Sequence, residues 1–231
     1  MTDKVVPLKK NQKPKSSGRQ GSRADQVSEK IREAIRHGKY TSGDHIRETE
    51  VAEWLQVSRT PVREALRRLE SEGLLTFESW RGVVVANLDR QQISELYAMR
   101  EMLEGAAARL AARHIDPGEI DLLDILMDRA ESVSGDPRKL ADINRQYHET
   151  IYLAAHNRYL TQTIEQLRNA LALLQGTTYS VPGRAETAAR EHRAIVEAIR
   201  NRDPDEAEAA ARRHVANNHK ARLRLLLEEE S

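Results

Sequence analysis

Apolar residues recur every three or four positions along most of this chain, and the breaks in that rhythm divide it. Val27, Ile31, Ala34 and Ile35 line one side of a helix near residues 25–37, which Gly38 ends. Glu48 to Leu55 reads as a short helix with Val51, Ala52 and Leu55 inward, and only Gln56 and Val57 separate it from Ser58. Ser58 can cap the next helix, and Pro61 sits in its first turn, where a missing N–H removes nothing. Val62, Leu66 and Leu69 form that helix's buried stripe, and Gly73 stops it. Two helices joined by so tight a turn form a helix-turn-helix. Leu74 to Phe77 and Val83 to Ala86 are β-prone runs around Ser79-Trp80-Arg81-Gly82, which predicts a hairpin wing with a basic tip. Residues 24–88 therefore read as a winged helix-turn-helix domain.

From Asp89 onward everything reads as helix. Asp89 caps the first, with Gln92 in capping-box position. Asp116-Pro117, Asp136-Pro137 and Asp203-Pro204 each place a cap before a proline at the first helical position, and Glu119 and Glu206 complete capping boxes at two of them. The pattern predicts helices near 89–114, 117–134, 137–156, 158–176, 184–201 and 204–228, with no internal repeat or strand. The fold class is mainly α, with an all-α bundle over 89–231 following the N-terminal domain. With one phenylalanine and two tryptophans in the chain, the bundle core must be built of Leu, Ile, Val and Ala.

Composition changes this picture in three places. The 231 residues carry 37 basic and 36 acidic side chains, so attraction to nucleic acid depends on local placement and not on net charge. There is no cysteine, which excludes disulfides and thiolate metal sites and leaves His, carboxylate or amide ligands. No run approaches the ~18 apolar residues of a membrane helix, and the N-terminus lacks a signal-peptide core, so a soluble cytoplasmic protein with no membrane partner is expected. Residues 1–23 hold Lys4, Lys9, Lys10, Lys13, Lys15, Arg19 and Arg23 against Asp3, a composition expected to stay disordered. That basic arm is either an inert tail or a phosphate-binding segment; in the second case, deleting the first 22 residues flattens the salt dependence of DNA binding.

Candidate chemistry lies on two faces. Arg59, Arg63 and Arg67 follow at four-residue steps on a face away from the apolar stripe. Alone such a row reads as a solvated surface, but at the head of the second helix of a helix-turn-helix it is shaped to enter a DNA major groove. In the bundle, polar residues interrupt the inward stripes: Arg100 among Ile93, Leu96, Leu103, Ala107 and Leu110; Asn144 and His148 beside Leu140, Ile143, Tyr147 and Ile151; His192 among Ala185, Ala188, Ile195 and Ile199; His214 and Asn218 among Ala207, Ala211, Ala221 and Leu225. Buried polar groups need partners. A lone inward histidine is most often a satisfied core residue, whereas three with an asparagine raise a shared metal site. Arg100 can clamp a carboxylate or pair with Glu104 one turn on, and the two roles are compatible. Asn218 can add a hydrogen bond to a ligand. Tyr147 and Tyr152 read as packing, and His37, His45, His114, His156 and His219 carry no assigned chemistry. The chain has no His-Glu-x-x-His and no Glu-x-x-His, so neither a zincin nor a di-iron bundle pattern is met, and an enzyme is not expected.

Ser58-Arg59-Thr60-Pro61-Val62-Arg63-Glu64-Ala65-Leu66, then Leu69, Glu72-Gly73-Leu74 and Arg81-Gly82, resemble the DNA-binding domain of the GntR family of bacterial transcription regulators. The resemblance implies that Arg59 and Arg63 reach base edges while Ser58, Thr60 and Gly82 meet the backbone or minor groove, with Arg67 and Arg81 completing the basic set. Some members carry a DNA-contacting arginine where this chain has Thr49, so their half-site sequence does not transfer. Tyr97 to Ala112 with Arg100 and Leu103-Glu104, Asn144 four before His148, Glu191-His192 and His214 resemble the helical effector (FCD) domain of the FadR subfamily in its six-helix, VanR-like form. That implies a divalent metal ion, zinc first and nickel or manganese otherwise, held by His148, His192 and His214, with Asn144 where most members have aspartate. A neutral amide is the weaker ligand, and an effector carboxylate would complete the shell. The resemblance implies a homodimer on double-stranded DNA at a pseudo-palindromic operator, responsive to a small organic acid through Arg100 and Asn218, and repressing rather than activating. The alternatives are an architectural DNA-binding dimer without a sensor and a metal-dependent hydrolase.

Overall fold

The computed structural model describes residues 22–174 and 176–229, so residues 1–21 of the basic arm lie outside the described residues, while Ser22 and Arg23, expected in the arm, cap and open the first helix. Helix α1 (Arg23–Arg36) starts earlier than the apolar rhythm indicates. The Ser22 hydroxyl accepts from the Asp25 amide at 3.1 Å and the Asp25 carboxylate accepts from the Ser22 amide at 2.8 Å, a capping box built from polar residues ahead of the stripe. Gly38 and Gly43, both at positive φ, turn the chain into α2 (Glu48–Leu55) and α3 (Arg59–Ser71). Strands β1 (Leu75–Glu78) and β2 (Gly82–Val85) pair antiparallel with Leu75 opposite Val85, forming the expected wing. Ile31, Val51, Val62, Leu69 and Leu74 are fully buried between these elements. Ion pairs Asp25–Arg68 and Arg32–Glu72 link α1 to α3.

The second half is a helical bundle of α4 (Arg90–His114), α5 (Pro117–Ser132), α6 (Pro137–Ala154), α7 (Arg158–Leu171), α8 (Arg184–Arg200) and α9 (Pro204–Glu229). The Asp89–Gln92 and Asp116–Glu119 capping boxes form as expected, and Asp203 accepts from the Glu206 amide. α4 packs along α9, α9 on α8, and α5 on α6 and α8. Ala108, Ala111, Ala207, Ala210 and Ala211 line the core, and small residues let backbones approach. An added Cβ on Gly105 would lie 2.8 Å from Arg212 Cγ, so α9 packs tightly on α4 there. Ile93, Leu96, Arg100 and Ala107 face inward as expected, and the buried face of α4 is broader than the stripe. Tyr97, Glu104, Ala108 and Ala111 are buried, whereas Leu103 and Leu110, expected inward, are half-buried in a side cluster with Ile164 of α7.

α7 ends at Leu171, short of the expected residue 176. Residues 172–174 close with bonds to the third residue back, the tightened geometry of a helix end. Leu173 then leaves the bundle. It is 5% exposed and belongs to the core of the winged domain, with Val27, Ile31 and Leu69. No helix among the described residues is long and apolar enough to cross a membrane.

Candidate functional site

Two sites stand out, an arginine face on α3 and an imidazole cluster in the bundle. Gln56, at φ +53, closes α2, and Ser58 takes the extended conformation before α3. The expected side-chain cap at Ser58 does not form. Pro61 occupies the third helical position, whose amide a cap hydroxyl commonly reaches, and it has no N–H to give. The Ser58 hydroxyl is left exposed beside Thr60, at the leading edge of the helix. Val62, Ala65, Leu66 and Leu69 turn inward, so Arg59, Arg63 and Arg67 point to solvent on the far face. Arg63 donates to Glu48 of α2 from Nε at 2.9 Å and Nη2 at 3.0 Å, and Arg59 Nη2 donates to the same carboxylate at 3.2 Å. Those two guanidiniums hold the Glu48 carboxyl below its ordinary value. At the wing, Gly82 has φ +76, Arg81 Nη2 donates to the Gly43 carbonyl at 3.0 Å, and Trp80 is 99% exposed.

In the bundle, His148 of α6, His192 of α8 and His214 of α9 come together, each offering a ring nitrogen within 4.8 Å of the others. All three are buried, and the Nε2 atoms of His192 and His214 have no hydrogen-bond partner among the described residues. His214 Nδ1 lies 2.7 Å from Glu191 Oε2, and Arg184 and Asn217 each donate to that carboxylate at 2.8 Å. Burial alone would raise the Glu191 carboxyl, but His214 and Arg184 hold it down at about 2. A carboxylate at Nδ1 selects the Nδ1–H tautomer and turns the Nε2 lone pair toward the cluster. Burial is the main cause that depresses His148 and His192 well below the ordinary imidazole value, with the neighbouring rings adding to it, and His214 is lowered despite Glu191. Each shift favours the neutral imidazole, the form that binds metal. Tyr147, expected as packing, stacks on His192 at 4.2 Å and donates to its carbonyl at 3.0 Å.

Asn144 lies one turn before His148, and its amide oxygen accepts from the Tyr179 hydroxyl at 3.0 Å. Arg100 is buried and donates from Nε to Glu104 at 2.8 Å, with its guanidinium 4.8 Å from the Tyr97 ring centre. Burial works against its charge, and Glu104 more than compensates. A cleft of about 1730 Å³ runs from this region to the winged domain; Arg100, Asn144, His148, Tyr179 and Asn218 are among its lining residues. The Asn218 amide oxygen is buried there without a partner. Sequence reasoning missed Tyr179, which lies in a short 3-10 turn (Thr178–Ser180) where no periodicity marks it. It also set His219 aside, although the ring stacks on Tyr97 at 4.7 Å beside Arg100. Glu191 was visible only as the neighbour of His192.

Two family models match the chain: residues 23–85 match that described as "Bacterial regulatory proteins, gntR family", and residues 95–217 match the FCD domain. The HTH-type transcriptional regulator YdhC of Bacillus subtilis is 30% identical over 88% of this chain and 92% of its own. The galactonate operon transcriptional repressor of Escherichia coli is 26% identical, over 85% of this chain and 95% of its own. Among solved structures, E. coli McbR/YncC superposes with a TM-score of 0.79 over 91% of this chain and all of that one, at 22% identity, a likeness of fold.

Proposed function

The chain belongs to the gntR family of bacterial regulatory proteins, as a DNA-binding transcription regulator with an FCD domain and not an enzyme, and from that premise we propose that it is a metal-dependent, metabolite-responsive repressor. It works in the cytoplasm as a homodimer, placing two winged domains on the half-sites of a pseudo-palindromic operator. Arg59 and Arg63 read base edges, Arg67, Ser58 and Thr60 meet phosphates, and Arg81 and Gly82 bring the wing to the minor groove. The exposure of Ser58, Arg59, Thr60, Arg63, Arg67 and Arg81 supports the assignment. The residues of the bundle fit a divalent ion, zinc before nickel or manganese, because a third imidazole meets two buried Nε2 atoms that have no hydrogen-bond partner among the described residues. His148, His192 and His214 would hold it, with Asn144 beside them. When bound, the ion supplies positive charge that attracts a carboxylate.

Arg100 and Asn218 then orient a small organic acid. Arg100 donates to Glu104 through Nε, and among the described residues its terminal nitrogens show no hydrogen bond, which leaves them for the ligand. A relative named for a galactonate operon, itself under a sugar acid's name, accords with this ligand class. Binding shifts the balance between arrangements of the two winged domains to the extent that the acid prefers one of them. The observation that carries the reading is the convergence of the three imidazoles. Metal analysis of the purified chain, followed by thermal unfolding against a panel of organic acids, tests it. One equivalent of metal and stabilisation by a particular acid are expected, whereas a metal-free chain indifferent to every acid would leave a bundle that only dimerises.

A further inference from the structure

The two arginines at the head of α3 are not loose in solution, because one carboxylate holds both. Glu48 is the first residue of α2, and its side chain reaches across the turn to α3. Oε1 accepts from Arg63 Nε, and Oε2 accepts from both Arg63 Nη2 and Arg59 Nη2, at 2.9, 3.0 and 3.2 Å. The Glu48 side chain is 26% exposed, while those of Arg59 and Arg63 are 61% and 53% exposed, so the acid lies behind its partners on the groove-facing surface. Its neighbours do not compete for it: Arg47 pairs with Glu50 at 2.7 Å, and position 49 is a threonine.

A fork-shaped guanidinium bound by a carboxylate presents a fixed plane, and the same plane is needed to meet the O6 and N7 acceptors of guanine. A phosphate has no such requirement, since it attracts an arginine in almost any orientation. A carboxylate beside the two forks also repels phosphates that approach them. The geometry points to Glu48 as the residue that sets sequence specificity: it holds Arg59 and Arg63 as one unit, suppresses their use as phosphate contacts, and is displaced only where base edges offer acceptors in its place. This rests on the reading of α3 as the helix that enters DNA. Glu48 acts through the arginines, so it is a positioning residue.

The test uses the full chain, a duplex enriched by the wild type from a randomised pool, and a random duplex of equal length. E48A should bind the random duplex several-fold more tightly, and its log-affinity against log-salt slope should steepen by about 1 to 2 as freed arginines find phosphates. The ratio of enriched to random affinity should fall about tenfold, the discrimination of roughly one bidentate base contact. E48Q, which keeps the shape and loses the charge, should fall between wild type and E48A, with an unfolding midpoint matching wild type to confirm the fold. A ratio and a slope both unchanged in E48A would overturn the role of Glu48 and leave the regulator reading intact. Equal weakening on both duplexes would also overturn it, since Glu48 would then only support α2. A wild-type chain that enriches no sequence would sink the DNA-reading role of α3, and that of Glu48 with it.

Discussion

A buried imidazole with no partner for its lone pair is costly, and His192 and His214 each carry one at Nε2. Nothing among the described residues satisfies them, and Glu191 fixes the His214 ring from the opposite side. The double variant His148→Ala with His192→Ala should therefore lose bound metal, read by elemental analysis, and lose any rise in unfolding temperature on adding zinc; an intact zinc response would remove these side chains from the site. On the other face, Arg59→Ala and Arg63→Ala should each weaken binding to a preferred duplex by about 5- to 150-fold while random DNA is affected far less. Loss that is equal on all sequences would make them phosphate contacts. The site histidines could be read in the chain because a polar residue in an apolar stripe is conspicuous. Tyr179 and the use of Glu191 could not, since a loop residue has no periodicity and a carboxylate beside an inward histidine has no fixed partner until helices are placed.

At the scale of single elements, caps were the most reliable signal because a capping box closes within four residues. Asp89→Ala removes the bond to the Gln92 amide at 2.8 Å, and should lower stability by ~0.5–2 kcal/mol in urea titration. Pro61 shows how a local rule can be cancelled locally: the proline that suits the first turn of α3 also removes an amide its serine cap would use. The end of α7 and the breadth of α4's buried face were misjudged for a different reason. Both depend on what packs against them, on α9 packing at Gly105 in one case and on the winged domain's core receiving Leu173 in the other. Leu173→Ala should cost ~2–5 kcal/mol, and the loss should appear in the unfolding of the winged domain although the residue follows α7. A change confined to the bundle would show that the contact is slack.

The molecule as a whole joins its two halves through that same segment. Leu173 lies in the winged core, Arg222 of α9 donates to the Gly176 carbonyl at 3.3 Å, and Tyr179 bonds Asn144 beside the imidazoles. A ligand bound in the cleft would thus meet a segment of chain anchored in the winged domain. An acid that fits should raise the unfolding free energy by about 2.7 kcal/mol at a hundredfold excess over its dissociation constant, and Arg100→Ala should abolish that gain. Stabilisation that survives the substitution would place the acid elsewhere. What the sequence determined by itself was set over short range: most helix starts, the wing, the mainly α class, the arginine row, and the inward histidines and Arg100. Apolar period, caps and turn residues act within a few positions, so they are written linearly. Only the tertiary structure decided that three imidazoles from separate helices meet, that Glu48 holds Arg59 and Arg63, and that a residue after α7 completes a core formed 88 to 146 positions earlier. Those contacts depend on the depth and angle at which helices cross, and crossing is set by side-chain volumes summed over whole faces.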